Sequence, residues 1–469
     1  MRWLGYGLVS LVLLLAAPLT SPGSAEAHGI SSTADVQLAQ TFAGNELTVV
    51  LRRAPLVPGP LTVDVIAHDP VRSVGIDLTA TALEGMPAAN PAGNRATLRL
   101  TAGRPGVYTT ALRVDRPGQW QLDLRAQDGE KAVLPFRVLV PRAAAWELVV
   151  YPGFALAGVF MVGALVAAVL RRRWLGTAAA GGAVVALAVG LTAALLSSAI
   201  PAALPDGAAP TIANNPADGF AAGGRPYVNL TLGTEPAQPV AGVEFTLRLR
   251  LSDGATGQPI DDLVSHHAAL AHTVVTSQDC TFFRHIHPVL TAPGVLEVRL
   301  TVDRPGRYLV HTEFERADSG GQLVTGSFEA GGTATATPLA PSTAEQPQTE
   351  LVTSPARPVA GEPTELRLQV TVAGRPARDL QPWLGMAGHL IVRDPRGDFF
   401  GHVHEMDSMA AQSTPGVPVP DETVAQYGPT LRFTFTFPSP GRYPVWIQYA
   451  RDFQVHTVAL SIDVGQEQQ

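Results

Sequence analysis

The sequence is poor in the groups that several chemistries require. Its 469 residues include one cysteine, Cys280, so an intramolecular disulfide is impossible and the cysteine-built zinc and iron–sulfur patterns are excluded. Metal chemistry here must use His, Met, Asp or Glu. Charged residues make up 16% of the chain and the formal charge is -7. The concentrated basic surface that phosphate binding needs is missing, which argues against nucleic acid as a partner. No Gly-x-Ser-x-Gly, phosphate loop or His-Glu-x-x-His motif occurs, so the chain is read as a binding protein and not an enzyme. What it has in quantity is apolar sequence, 46% of the residues, enough for several domains with a core each.

Residues 1–27 read as a secretory signal: Arg2, an apolar run from Leu4 to Leu19, and the cleavage site Ala25-Glu26-Ala27. Cleavage there exposes His28, whose α-amino group and imidazole can together chelate a divalent copper ion. Leu148 to Leu170 and Leu175 to Ile200 carry no charged residue and are long enough to span a bilayer. Between them sit Arg171, Arg172 and Arg173. The positive-inside rule places this short loop in the cytoplasm and both flanking regions outside, at the cell membrane. Spans without charged residues read as an anchor and not as a conduction path.

The remaining sequence alternates apolar and polar residues in short runs punctuated by Pro and Gly, as in Leu61-Thr62-Val63-Asp64-Val65-Ile66 and Glu244-Phe245-Thr246-Leu247-Arg248-Leu249. This is the pattern of strands with one buried face. An Arg-Pro-Gly or Ser-Pro-Gly turn followed by an aromatic recurs at 104–108, 116–120, 304–308 and 439–443, so the soluble regions are expected to be variants of one immunoglobulin-like sandwich. The fold class is therefore mainly β, three sandwiches plus a two-helix transmembrane hairpin. The expected bounds are 28–142 for the first sandwich, 145–203 for the spans, 236–330 for the second sandwich and 351–469 for the third. Linkers fill 204–235 and 331–350.

Ten of the twelve histidines fall after residue 260. His272 is followed by His285 and His287, and 117 residues later His389 is followed by His402 and His404, a Phe-Phe preceding each His-x-His. Residues i and i+2 on a strand share a face. Turn formers between the lone His and the pair suggest a hairpin, Ser277-Gln278-Asp279 in one copy and Asp394-Pro395-Arg396-Gly397 in the other. With an even loop, His272 lies across from His285 and His389 across from His402, and three imidazoles converge in each copy. Three imidazoles suit copper, zinc or nickel. Met406 and Met409 follow His404, and soft thioethers favour Cu(I), so copper is the first expectation, with zinc as the alternative. His456, on the last strand, is a further candidate ligand.

On these residues the chain resembles bacterial envelope sandwich domains of the CopC and YtkA-like kind, in three tandem variants. The first domain is similar through its size, strand pattern and His28-Gly29 start. The later two are similar through Gly388-His389-Leu390-Ile391-Val392, Phe400-Gly401-His402-Val403-His404, Pro440-Gly441-Arg442-Tyr443 and Val455-His456-Thr457. In the first domain the resemblance implies an N-terminal His coupled to a later Asp and His, for which Asp69 and His68 offer themselves. The expectation is a membrane-anchored extracytoplasmic protein that stores, senses or delivers copper, with an envelope metalloprotein or transporter as partner. The other readings are a structural or adhesion-type envelope protein and a His-ligated metalloenzyme.

Overall fold

The computed structural model describes residues 35–52, 54, 56–83, 91–140, 142–199, 205–207, 227–317, 319–333, 347–412 and 419–466. The first sandwich holds β1 (Val36–Phe42), β2 (Asn45–Leu51), β3 (Gly59–His68), β4 (Val74–Ala82), β5 (Arg95–Leu100), β6 (Gly106–Val114), β7 (Gly118–Ala126) and β8 (Lys131–Val138). Its sheets run β1-β2-β3-β6 and β5-β4-β7-β8. In β7 every second residue is buried. Trp120, Leu122 and Leu124 thus enter the core between the sheets, and the residues between them face outward.

Two helices follow, α1 (Glu147–Val169) and α2 (Arg173–Leu195), each of 23 residues and apolar enough to cross a membrane. At 1.5 Å per residue each is about 35 Å long. They approach closely at Gly153 and Gly190, where a Cβ on the first would come within 3.0 Å of the second, the close packing that small residues allow between apolar helices. The hairpin is one compact unit, and the three sandwiches together form another. The chain leaves the first sandwich at Val140 and re-enters at Asp206, and these two residues form an antiparallel bridge with N–H···O distances of 3.0 and 2.9 Å.

The second sandwich is built from β9 (Val228–Glu235), β10 (Phe245–Asp253), β11 (Leu263–Val264), β12 (His272–Ser277), β13 (Phe283–Ile286), β14 (Val289–Ala292), β15 (Val295–Leu300), β16 (Gly306–Arg316) and β17 (Gly320–Ala330). One sheet runs β14-β15-β10-β9; the other runs β11-β16-β12-β13, with β17 also on β16. Strand β9 lies inside the stretch expected as linker. Only Val228 in it is fully buried, so its apolar signal is weak, and its place comes from pairing with β10. The third sandwich holds β18 (Gln348–Ser354), β19 (Pro363–Val372), β20 (Arg375–Pro376), β21 (His389–Arg393), β22 (Phe400–His404), a short helix α3 (Met406–Gln412), β23 (Thr430–Thr436), β24 (Gly441–Arg451) and β25 (Gln454–Val464). Its sheets are β18-β19-β20 with β23 on β19, and β22-β21-β24-β25.

The repeated Pro-Gly turn has one job in all three sandwiches. Its glycine opens a strand at positive φ, +126° at Gly106, +122° at Gly118, +138° at Gly306 and +149° at Gly441. The aromatic two residues on then donates to the backbone oxygen four residues before it: Tyr108 to Arg104 at 2.8 Å, Trp120 to Arg116 at 3.1 Å, Tyr308 to Arg304 at 2.7 Å and Tyr443 to Ser439 at 2.9 Å. An apolar ring fills the core while its polar tip satisfies a turn carbonyl. Tyr308→Phe keeps the ring and removes the bond, so urea titration should find the variant less stable by about 1 kcal/mol. An unchanged midpoint would mean that the turn does not depend on it.

Candidate metal centre

Strands β12 and β21 are buried along their whole length, unlike the alternating strands of the same sandwiches. Strand β21 sends Leu390 and Val392 into its own core, and on β12 Val275 does the same. The other face of each strand carries His272 and Val274, or His389 and Ile391, and these faces pack against each other. Val274, Ile391 and Trp446 form a small apolar cluster at this seam. Phe283 of the second sandwich stacks on Trp446 of the third with centroids 4.7 Å apart, and Phe400 of the third stacks on His311 of the second at 4.5 Å. The second Phe of each Phe-Phe thus reaches across to the other copy.

The register differs from the expected one. Val274, not His272, is paired with His285; His389 is paired with His404, and Ile391 with His402. Each turn spans six residues, held by backbone N–H groups bonded to turn side chains, Phe282 to Ser277 Oγ and Phe399 to Asp394 Oδ1, both at 2.9 Å. The displacement is two residues, so side-chain parity is preserved and all three histidines of each copy stay on one face. In each triad one ligand nitrogen per ring lies within 4.8 Å of the other two.

The outer nitrogens decide which inner atoms can bind. Nε2 of His272 donates to the backbone oxygen of His266 at 3.0 Å, Nδ1 of His285 to Gln448 Oε1 at 2.9 Å, and Nδ1 of His287 to Glu46 Oε1 at 2.5 Å. These oxygens only accept, and Gln448 uses its Nε2 on Thr457, so the proton of each ring sits on the outer nitrogen. Nδ1 of His272 and Nε2 of His285 then face each other at 3.4 Å as two lone pairs, and Nε2 of His287 is buried without a hydrogen-bond partner. The second triad repeats this. Nε2 of His389 donates to Trp383 O at 3.0 Å and Nδ1 of His402 to Glu313 Oε2 at 2.6 Å. Nδ1 of His389 faces Nε2 of His402 at 3.2 Å, and Nε2 of His404 is buried and unpartnered. Two imidazole nitrogens bound to one ion at about 2.0 Å, in trigonal or tetrahedral geometry, lie roughly 3.3–3.5 Å apart.

Protonation does not relieve the facing lone pairs of His272 and His285. Burial holds His272, His285 and His389 well below the ordinary histidine range, with neighbouring imidazoles adding to the effect. For His404 burial, followed by His402 and His267, brings the value down to about 2. The two triads are also adjacent, with the His285 ring 5.2 Å and the His272 ring 5.7 Å from that of His402.

The first sandwich completes the surroundings. Its edge strand β1 bonds to the second sandwich, Thr41 N to His287 O at 2.8 Å and His287 N to Thr41 Oγ1 at 2.8 Å, and its Glu46 holds His287. His68 closes β3 and lies buried at the seam with the third sandwich, its Nε2 3.1 Å from both Thr48 Oγ1 and Glu422 Oε2.

The remaining candidates lie elsewhere. Met406 is 41% exposed, with its Sδ 3.1 Å from Thr434 on β23, a strand of the sheet opposite the triad. Met409 is 38% exposed on α3. His456 pairs with Tyr449 and stacks on its ring at 5.2 Å; since Gln448 faces the triads, strand parity turns His456 to the other side. His28 lies outside the described residues. Glu46, Glu313, Gln448 and Trp383, which support the rings, went unnoticed in the sequence because each sits on a strand or turn far from any His-x-His.

No curated protein sequence matches the chain. Among solved structures, the Escherichia coli adhesin FdeC aligns over 94% of this chain and 99% of its own at 13% identity and a TM-score of 0.16. A tetra-tandem repeat from the extending region of a large adhesion protein aligns over 92% and 74% at 10% identity and 0.16. Two fibronectin type III domains of chicken tenascin align over 51% and 99% at 10% identity and 0.14. At such TM-scores these likenesses carry no argument about function. Residues 227–332 and 344–466, the two sandwiches that hold the triads, match the family model described as a domain of unknown function (DUF8832).

Proposed function

We propose that this chain is a membrane-anchored metal-binding protein that holds one copper ion in each histidine triad, for storage or delivery outside the cytoplasm. The observation that carries the reading is the pairing of lone pairs at 3.4 and 3.2 Å, while the opposite nitrogens of the same four rings donate outward. Facing lone pairs in a buried seam repel unless a cation lies between them. Outer donation to a carbonyl, amide or carboxylate is the arrangement that orients a ligating histidine.

Charge and coordination number support Cu(I). Three imidazoles without a fourth protein ligand among the described residues suit a three-coordinate monovalent ion, whereas structural zinc takes four. Each triad touches one carboxylate, Glu46 or Glu313, so a monovalent ion leaves each buried site neutral. Met406 and Met409, exposed beside the opposite sheet, do not contribute to this preference. The signal-like N terminus, the Arg171–Arg173 loop and the CopC and YtkA-like resemblance support the placement outside the cytoplasm. A second reading, a structural or adhesion-type envelope protein in which the ion serves as a staple, is favoured by the position of the triads on the seam between two sandwiches.

The full chain in detergent should bind two equivalents of Cu(I), with His285→Ala and His402→Ala each removing one. Absence of metal from the unaltered protein sinks the proposal, and loss of the folded seam together with the metal favours the staple. Glu46→Gln and Glu313→Gln should each weaken one site by about 10- to 100-fold, measured by competition with a Cu(I) chelator; equal affinities would leave the carboxylates without a role.

The metal-free protein should also lose stability in acid. The folded-state values of His272, His285, His389 and His404 lie below the unfolded value of about 6.5. The unfolded chain therefore takes up protons first as the pH falls. Stability from these groups is complete above pH about 6.5 and declines steadily below it. Thermal unfolding between pH 7.5 and 5 would reveal this, and a flat profile would contradict neutral burial of the rings.

A further inference from the structure

We infer that the His266–His267 pair is the port through which the third sandwich's triad exchanges its ion, while the second sandwich's triad is closed by Trp383. This rests on the metal reading above and adds a direction to it. Each triad is covered by a turn from the other copy. In the second sandwich the turn is His266 to Ala269, and in the third it is Trp383 to Met386; both close with the same pair of backbone bonds. Both have two successive left-handed residues at the centre, His267 and Ala268 at φ 46° and 58°, Leu384 and Gly385 at 55° and 76°. The first residue of each turn accepts the outer N–H of its own copy's lone histidine. The turns are equivalent in backbone but differ in side chain.

Over the second sandwich's triad the turn presents Trp383, 2% exposed, with its ring 5.4 Å from that of His285 and 5.8 Å from that of His287. An indole offers no lone pair to an ion. A cleft of about 440 Å³ touches this triad at His285 but is lined by neither His272 nor His287. Over the third sandwich's triad the turn presents imidazoles. The His267 ring is 4.1 Å from the ring of His404, and the His266 ring is 4.0 Å from that of His267. The His266 side chain is 35% exposed and its Nδ1 lies 2.9 Å from Glu315 Oε2, a carboxylate open to solvent that attracts cations. A continuous file of three rings therefore runs from the surface to a triad ligand. His267 and Ala268 both hold left-handed conformations that glycine adopts without strain, so the turn carries a local cost.

Along this file a soft or borderline cation such as Cu(I) passes from His266 to His267 to His404. At each step one metal–imidazole bond forms as the previous one breaks, with no change in oxidation state and no net proton transfer. Among the described residues the triad of His272, His285 and His287 has no such file, and it keeps its ion longer.

The test uses the full chain in detergent, with Cu(I) presented anaerobically as its bicinchoninate complex and uptake followed by loss of colour. The unaltered protein should take up two equivalents in two phases, one fast and one slow. His267→Phe, which preserves the ring contact with His404 but removes the lone pair, should slow the fast phase about tenfold or more with the final two equivalents unchanged. His267→Met, which restores a soft donor, should keep the fast rate. His266→Ala alters a partly exposed side chain, keeps the test open if His267→Phe fails to fold, and should also slow the fast phase. A fast phase unaffected by these changes, with two equivalents still bound, overturns the port and leaves the metal reading standing. Loss of one equivalent in His267→Phe makes His267 a resident ligand, which also overturns it. No uptake by the unaltered protein overturns the metal reading itself.

Discussion

Six imidazoles share a seam in which four of these residues are buried and two half-buried, and the packing of the second and third sandwiches rests on how their nitrogens are satisfied. A buried polar atom without a partner costs about 1–3 kcal/mol, so a seam of this composition forms only if nearly every ring is served. Five of the outer nitrogens have protein acceptors, and three of these acceptors, Gln448, Glu313 and Glu46, belong to a different sandwich from the ring they hold. The inner nitrogens face one another as lone pairs or, at His287 and His404, have no hydrogen-bond partner among the described residues. Domain packing and ligand orientation are therefore one requirement, and neither sandwich could build its triad alone.

Duplication accounts for the symmetry of this arrangement, and divergence for its use. His285 reaches Gln448 and His402 reaches Glu313, residues in matching positions beside the lone histidines of the two copies. Phe283 crosses to Trp446 and Phe400 to His311 in the same way. Where the copies differ, the difference falls on the rim: tryptophan against histidine over the rings, glutamine against glutamate beneath them. The first sandwich breaks the symmetry further by giving Glu46 to one triad only.

The fold class and the shared face of each triad were legible in the sequence because both depend on period-two alternation, which survives a register displacement of two residues. The tie between the triads was not. Its signal lay in His272-Thr273-Val274-Val275-Thr276 and Pro444-Val445-Trp446-Ile447-Gln448-Tyr449, where burial on both faces abolishes alternation. Those runs imply that something covers the second face, though not what. Strand β9 was missed for the opposite reason, having little buried surface to announce it. Met406 and Met409 drew the eye by closeness along the chain, but α3 carries them to the far sheet, and strand parity turns His456 from the site.

The bridge between Val140 and Asp206 gives the hairpin the character of an insertion. The chain leaves the packed sandwiches after Val140 and returns to them at Asp206, where these two residues are hydrogen-bonded to each other. Glu46, in the strands before the insertion, is bonded to His287 in the strands after it, so the inserted segment has to bring the chain back to where it left. Two helices of 23 residues joined by a short loop do so. A single helix of that length would carry the chain about 35 Å away and part the carboxylate from the ring it holds, without touching a residue of either triad.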